Sequence, residues 1–267
     1  MISKRYPLSR GVIGVFDSGV GGLSVLKELR KLLPRERYVF VADQANVPYG
    51  AKTDRQLKEL SRRICSFLMA NDAKLIVVAC NTATCYAISH LRRLFPVPFV
   101  GTVPAVKPAL EHSHTGIVAV VSTPATAKSP MLKRLVSRFS NGQRVVAIGC
   151  PGLEESVECG GLTTRRTAAL LDRYLAGVRA SGADYLVLGC THYPFLTEQI
   201  KERMDIPILD SGAAIARRTR FLLKQHGIPS RAKRGGVVYY TTGDSHAFSR
   251  VASALLSTKV RARHIAF

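Results

Sequence analysis

The chain has 267 residues, 46% hydrophobic and 21% charged, a balance that fits a folded globular protein and excludes a disordered one. It carries 39 Lys and Arg against 18 Asp and Glu, a formal net charge of +21; such a surplus attracts polyanions and speeds capture of anionic substrates. No apolar run approaches the roughly 18 residues of a membrane span.

The basic opening, MISKRYPLSR, leads into only a short apolar stretch with no small-residue cleavage site, so no signal peptide is expected. Residues 12 to 16, VIGVF, read as a first buried strand. The glycine loop Asp17 to Gly22 follows, then an amphipathic helix from Leu23 to Leu33 with Pro34 just beyond. Residues 38 to 42 form a second strand, ending at Asp43. After the polar loop QANVPYG comes a helix from about Thr53 to Ala70. Leu75 to Thr82, LIVVACNT, is a third strand that ends in Cys80, and a helix runs on to Leu94. Val97 to Gly101 is a short fourth strand.

A second series starts with a helix from Pro104 to His112. It continues with a strand at 116–121, a helix at 125–139, a strand at 144–148 and a loop over 149–160. A long helix at 162–180 precedes Tyr185 to Pro194, YLVLGCTHYP, a strand that ends in Cys190. Strand 206–209, a helix to Gln225, a loop at 231–236, strand 237–241 and a helix at 247–256 complete the chain. Strands alternating with helices predict an α/β architecture of two similar, doubly wound lobes with mainly parallel sheets and a site in the cleft between them. The expected division is residues 1–103 with 218–267 for the first domain and 104–217 for the second.

Cys80 and Cys190 stand at the C-terminal edges of two strands, where open α/β sheets place their ligands. A cysteine between a strand end and a helix N-terminus has its thiolate stabilised by the helix dipole and amide donors. His192 is close enough in sequence to be a proton partner for Cys190. Cys65, Cys85, Cys150 and Cys159 are expected to be structural or incidental. Six cysteines without CxxC spacing fit a reducing cytoplasm. Zinc binding by Cys80, Cys190 and His192 would lack the usual close-spaced ligand pairs.

Two opposed thiols suit one chemistry in particular. Removing a proton from one face of a stereocentre and returning another to the opposite face needs two groups, each acid or base by turn. The glycine loop is open to two readings. Its amides and the following helix N-terminus could hold a carboxylate, with Asp17 and Ser18 as site residues. A dinucleotide fingerprint would need glycine at position 24, where Ser24 stands, although Asp43 lies at the spacing of a ribose contact.

Several segments closely resemble glutamate racemases: FDSGVGGLSVLKEL (16–29), VPYG (47–50), VVACNTAT (77–84), VPAVKPAL (103–110), STPATAKS (122–129), GCP (149–151) and LGCTHYPFL (188–196). The resemblance covers nearly the whole chain. It implies a cofactor-independent, metal-free enzyme that interconverts L- and D-glutamate for peptidoglycan synthesis in the cytoplasm and often forms homodimers. Cys80, assisted by Asp17, would act on D-glutamate; Cys190, assisted by His192, would act on L-glutamate. Substrate contacts would come from Asp17, Ser18, Tyr49, Gly50, Asn81, Thr82, Thr191 and His192, with Thr123 and Thr126 helping to hold a carboxylate. One departure stands out. The family usually runs from GCP through a hydrophobic stretch to an assisting glutamate, and this chain has GLEESVECG. Glu158 is the positional match, while Glu154 and Glu155 are unexpected charges.

An aspartate racemase of the same superfamily is the nearest rival. The basic pairs at 92–93, 165–166, 217–218 and 233–234 and the tail 259–263 leave nucleic acid as a partner of another class. No nucleic-acid motif accompanies them, and their scatter reads as solvated surface.

Overall fold

The computed structural model describes residues 11–228 and 234–267. The basic opening segment, residues 231–233 of the expected loop, and Lys233 of its basic pair lie outside these residues. The first series comprises β1 (Val12–Asp17), α1 (Leu23–Leu32), β2 (Arg37–Ala42), α2 (Asp54–Ala70), β3 (Ala73–Val78), α3 (Asn81–Leu94) and β4 (Phe99–Gly101). The second comprises α4 (Val106–His112), β5 (Ile117–Ser122), α5 (Pro124–Lys128), α6 (Pro130–Phe139), β6 (Arg144–Gly149), α7 (Leu153–Glu158), α8 (Arg165–Ser181), β7 (Tyr185–Leu188), α9 (Thr197–Lys201), β8 (Ile208–Leu209) and α10 (Gly212–Gln225). The chain ends with β9 (Gly236–Thr241), α11 (Ser245–Leu256) and β10 (Ala262–His264).

The strands form two sheets, ordered β10-β9-β2-β1-β3-β4 and β6-β5-β7-β8. Every pairing is parallel. Parallel strands covered on both faces need apolar side chains throughout, and β3 is buried at every position. Strand order decides what meets at the sheet edges. β1 pairs with β3, with Phe16 opposite Val78, so Asp17 and Cys80 emerge side by side. β5 pairs with β7, with Val121 opposite Leu188, so Thr123 and Cys190 emerge side by side on the other sheet.

One apolar cluster joins the two lobes. It contains Val15, Phe40 and Val77 from the first sheet together with Ala119, Val121 and Leu188 from the second. The lobes are therefore packed against each other rather than tethered by a linker. Separate clusters fill the outer face of the first sheet, around Ile64 and Leu91, and of the second, around Leu110 and Leu132.

Local chemistry explains where the elements begin. Thr53 and Gln56 form a reciprocal capping box that starts α2. The expected helix over 125–139 is two helices. Ser129 accepts from the Leu132 amide at 3.1 Å and Pro130 opens the second, so the Ser-Pro pair both ends α5 and starts α6. The expected loop over 149–160 contains α7, entered through Gly152 at φ +83°, a left-handed conformation that favours glycine. The helix expected from 162 begins at Arg165, capped by Thr164. β10 overlaps the end of the basic tail and extends the first sheet beyond β9, an element absent from the sequence reading. Among the described residues no helix is long and apolar enough to cross a membrane.

Near the N-terminal ends of β2 and β3, Lys74 Nζ lies 2.7 Å from Glu36 Oε2 with both side chains almost fully buried. The contact is an ion pair without good hydrogen-bond alignment at that oxygen. Removing one partner strands the other charge. Lys74→Met should cost about 3–5 kcal/mol in urea-denaturation free energy, and adding Glu36→Leu should restore most of the loss. A Lys74→Met protein as stable as wild type would contradict this.

Candidate active site

The facing sheet edges line one small, partly open cavity of about 20 Å³. Both expected thiols open onto it. Its walls include Ser18, Tyr49, Gly50, Cys80, Asn81 and Thr82 from the first lobe and Thr123, Cys190, Thr191 and His192 from the second. The other expected site residues, Asp17, Thr126 and Glu158, stand behind these walls and hydrogen-bond to residues that form them.

Cys80 is the N-cap of α3, and its Sγ accepts from the Ala83 amide at 3.4 Å. Burial pushes the Cys80 thiol well above its ordinary value, and the neighbouring Asp17 carboxylate adds to the rise; Ala83 and Ser18 pull against them. Asp17 is wholly buried. Its Oδ1 accepts from the Gly19 amide at 3.1 Å and Ser18 Oγ at 3.3 Å, and its Oδ2 accepts from Thr191 Oγ1 at 3.0 Å. Burial raises the Asp17 carboxyl, while His192, Gly19 and Thr191 offset part of the rise and Glu158 adds to it.

On the facing edge, Cys190 Sγ lies 3.5 Å from His192 Nδ1. The other ring nitrogen, Nε2, lies 2.6 Å from Glu158 Oε1. That oxygen also accepts from the Val20 amide at 2.6 Å, and Glu158 Oε2 accepts from Gln44 Nε2 at 2.7 Å. Burial alone would raise the Glu158 carboxyl, but these donors outweigh it and hold it below its ordinary value. Burial alone would likewise lower His192; its bonds to Cys190 and Glu158 reverse this and hold it well above the ordinary imidazole value. The imidazolium in turn opposes the burial that pushes the Cys190 thiol up. The three groups form a proton-sharing line from thiol to carboxylate.

The glycine loop serves this line. A Cβ on Gly19 would collide with the Glu158 carboxylate, and one on Gly21 with the His192 ring. The glycines are needed for close approach of protein groups. Asp43, at the spacing of a ribose contact, instead accepts from Tyr49 Oη at 2.6 Å and Thr242 Oγ1 at 2.8 Å. Three hydroxyls gather on the opposite side: Thr82 Oγ1 lies 3.0 Å from Thr123 Oγ1 and 3.2 Å from Thr126 Oγ1. Asn81 Oδ1 is buried without a hydrogen-bond partner. Among the described residues no group of three or more His, Cys, Asp and Glu is arranged to hold a metal ion.

The sequence reading missed Gln44, whose contact with Glu158 spans 114 positions and leaves no local pattern. It also missed Val47, Pro48 and Gly189 in the cavity wall. Glu154 was noticed only as an odd charge, yet it too lines the cavity.

Residues 13–219 match the family model described as Asp/Glu/Hydantoin racemase. A glutamate racemase from Herpetosiphon aurantiacus is 43% identical over 246 residues, covering 91% of this chain and 97% of that protein. The crystal structure of glutamate racemase isoform RacE1 from Bacillus anthracis superposes with a TM-score of 0.90 at 28% identity, over 97% of this chain and 98% of that one. An Escherichia coli glutamate racemase, solved with L-glutamate and the activator UDP-MurNAc-ala, gives 0.83 at 34% identity, over 93% of this chain and 94% of the other.

The shifts of His192 and Glu158 fix a stability window. A raised imidazole contributes in full below its ordinary value of 6.5 and loses that contribution as pH rises through its folded value. A depressed carboxyl contributes in full above its ordinary value of 4.5 and loses it as pH falls through its folded value. The pair therefore stabilises most between those two values. Glu158→Gln should lower the His192 pKa measured by NMR and flatten the loss of stability on the alkaline side. An unchanged imidazole titration would contradict the coupling.

Proposed function

The chain belongs to the Asp/Glu/Hydantoin racemase family, and from that premise we propose that it interconverts L- and D-glutamate by a two-thiol mechanism needing no cofactor. The substrate rests on the relatives' identity as glutamate racemases. The mechanism rests on one observation above all: two cysteines from separate sheets line one cavity. In our reading Cys190, assisted by His192, takes the α-proton of L-glutamate, and Cys80, assisted by Asp17, takes that of D-glutamate.

In each direction a thiolate accepts the α-proton, and the C–H electron pair remains on the substrate, spread into its carboxylate. The opposing thiol then donates its proton to the other face, which inverts the centre and leaves that sulfur as thiolate. An α-proton of an amino acid is very weakly acidic, so the developing charge needs donors already in place and little competing water. Ser18, Asn81, Thr82, Thr123 and Thr191 supply polar groups to the wall. Thr126 braces Thr82 and Thr123, and Gly50 and Tyr49 complete the same wall. Glu158 acts as the assisting acid through His192.

We further propose a cytoplasmic enzyme, a homodimer, whose D-glutamate supplies peptidoglycan synthesis. The lobe division into 1–103 with 218–267 and 104–217 belongs to the same proposal; the crossing then falls within α10.

Purified protein should change the optical rotation of L-glutamate without added cofactor. Aspartate should be turned over at least about tenfold less well, the scale of one lost charged contact. Activity on aspartate alone would contradict the substrate. Cys80→Ser and Cys190→Ser should each reduce racemisation by at least about a thousandfold, more than a single general acid–base contribution commonly supplies on its own at the low end. In D₂O, deuterium should enter the α-position of the newly formed enantiomer. Near-normal turnover by either variant, or product without label, would overturn the two-thiol scheme.

A further inference from the structure

In the segment after Gly152 this chain places a carboxyl group in the wall of the candidate cavity. Glu154 is 6% exposed and lines the same space as Cys80 and Cys190. Its Oε2 is buried without a hydrogen-bond partner. The neighbouring Glu155 is different: it is exposed enough to pair with Arg166 at 3.1 Å. A buried polar atom left unsatisfied is costly, and the surrounding protein supplies no partner for Glu154 Oε2.

We propose that Glu154, as a neutral carboxylic acid, donates a hydrogen bond to a carboxylate of the bound substrate, and that its ionisation weakens binding. This rests on the glutamate reading, because it requires a dicarboxylate. A neutral O–H needs an acceptor, which the substrate carries twice. An ionised Glu154 would set a negative charge against those same carboxylates.

The groups that bear on Glu154 come from several elements. Glu155 lies on its own helix, α7; Cys150 follows β6; Tyr174 lies on α8; Cys190, His192 and Tyr193 follow β7. Burial raises the Glu154 carboxyl above its ordinary value. Its own backbone amide and His192 oppose the rise, and Glu155 adds to it. The net direction is upward, toward easier protonation of this carboxyl than of an exposed one.

Binding calorimetry with glutarate, a dicarboxylate that has no ammonium group and does not racemise, separates this assignment from the catalytic one. Over about pH 5 to 9 the wild-type dissociation constant should rise by about tenfold as Glu154 ionises, the scale of a hydrogen bond to a charged group. Glu154→Gln, a permanent donor, should remove that rise. Glu154→Val should bind about tenfold more weakly than wild type at the acidic end. Melting temperatures report whether each variant is folded; should the valine variant not fold, the glutamine variant decides alone. Identical pH profiles for wild type and Glu154→Gln would overturn the proposal. So would weak binding by Glu154→Gln at every pH, which would assign the role to an ionised carboxylate. If the glutarate profile fails while L-glutamate is still racemised, only the Glu154 assignment falls. If glutarate binds as expected but no racemisation occurs, the catalytic reading falls instead.

Discussion

A buried carboxylate ties the two halves of the site together. Glu158, on a short helix of the second lobe, accepts from the Val20 amide and from Gln44 of the first lobe and contacts His192 of its own. An ionised group this deep is tolerable only when its oxygens are satisfied by donors. Displacing either lobe would break those bonds and strand the charge. Asp17 makes a second crossing of the same kind through Thr191. These bridges hold the segment after β1 against the one after β7, with Cys80 beside the first and Cys190 in the second.

The rest of the architecture serves that opposition. Parallel strands all deliver their C-terminal ends to one edge, so each sheet collects reactive side chains on one side. The apolar cluster shared by both lobes then turns the two edges toward each other. Burial excludes water from the thiols and raises both. It also increases the influence of each nearby charge, because the local dielectric is low. The two cysteines consequently sit in unlike environments. Asp17 is the charged neighbour that acts on Cys80, and an imidazolium backed by Glu158 acts on Cys190. On the proposed mechanism that asymmetry suits two thiols working in opposite directions.

Legibility in the sequence followed the range of the interactions. Buried parallel strands are apolar along their whole length, so β1, β3, β5 and β7 stood out as runs, and the glycine and cysteine at the end of β7 marked a sheet edge. Elements stabilised mainly by distant neighbours were hidden. β10 has the sequence ARH, which has no strand pattern of its own and pairs only because β9 lies beside it. α7 is six residues long and carries three glutamates, so its charges looked like loop composition until Leu153 and Val157 were seen in the core. Gln44 had no signal at all. The Ser-Pro break between α5 and α6 is marked in the sequence, but the apolar pattern continues across it and masks it. The family resemblance supplied the site roles; residue chemistry alone reached only the pair of thiols and the adjacent histidine.

In the proposed mechanism two sulfur atoms attend one carbon from opposite sides. The most direct measurement is a crystal structure of the protein with D-glutamate bound. The account predicts Cys80 Sγ and Cys190 Sγ on opposite faces of the α-carbon, each within roughly 3.5 Å of it, the approach of reacting atoms in a productive complex. Both sulfurs on one face, or either one turned away from the ligand, would contradict it.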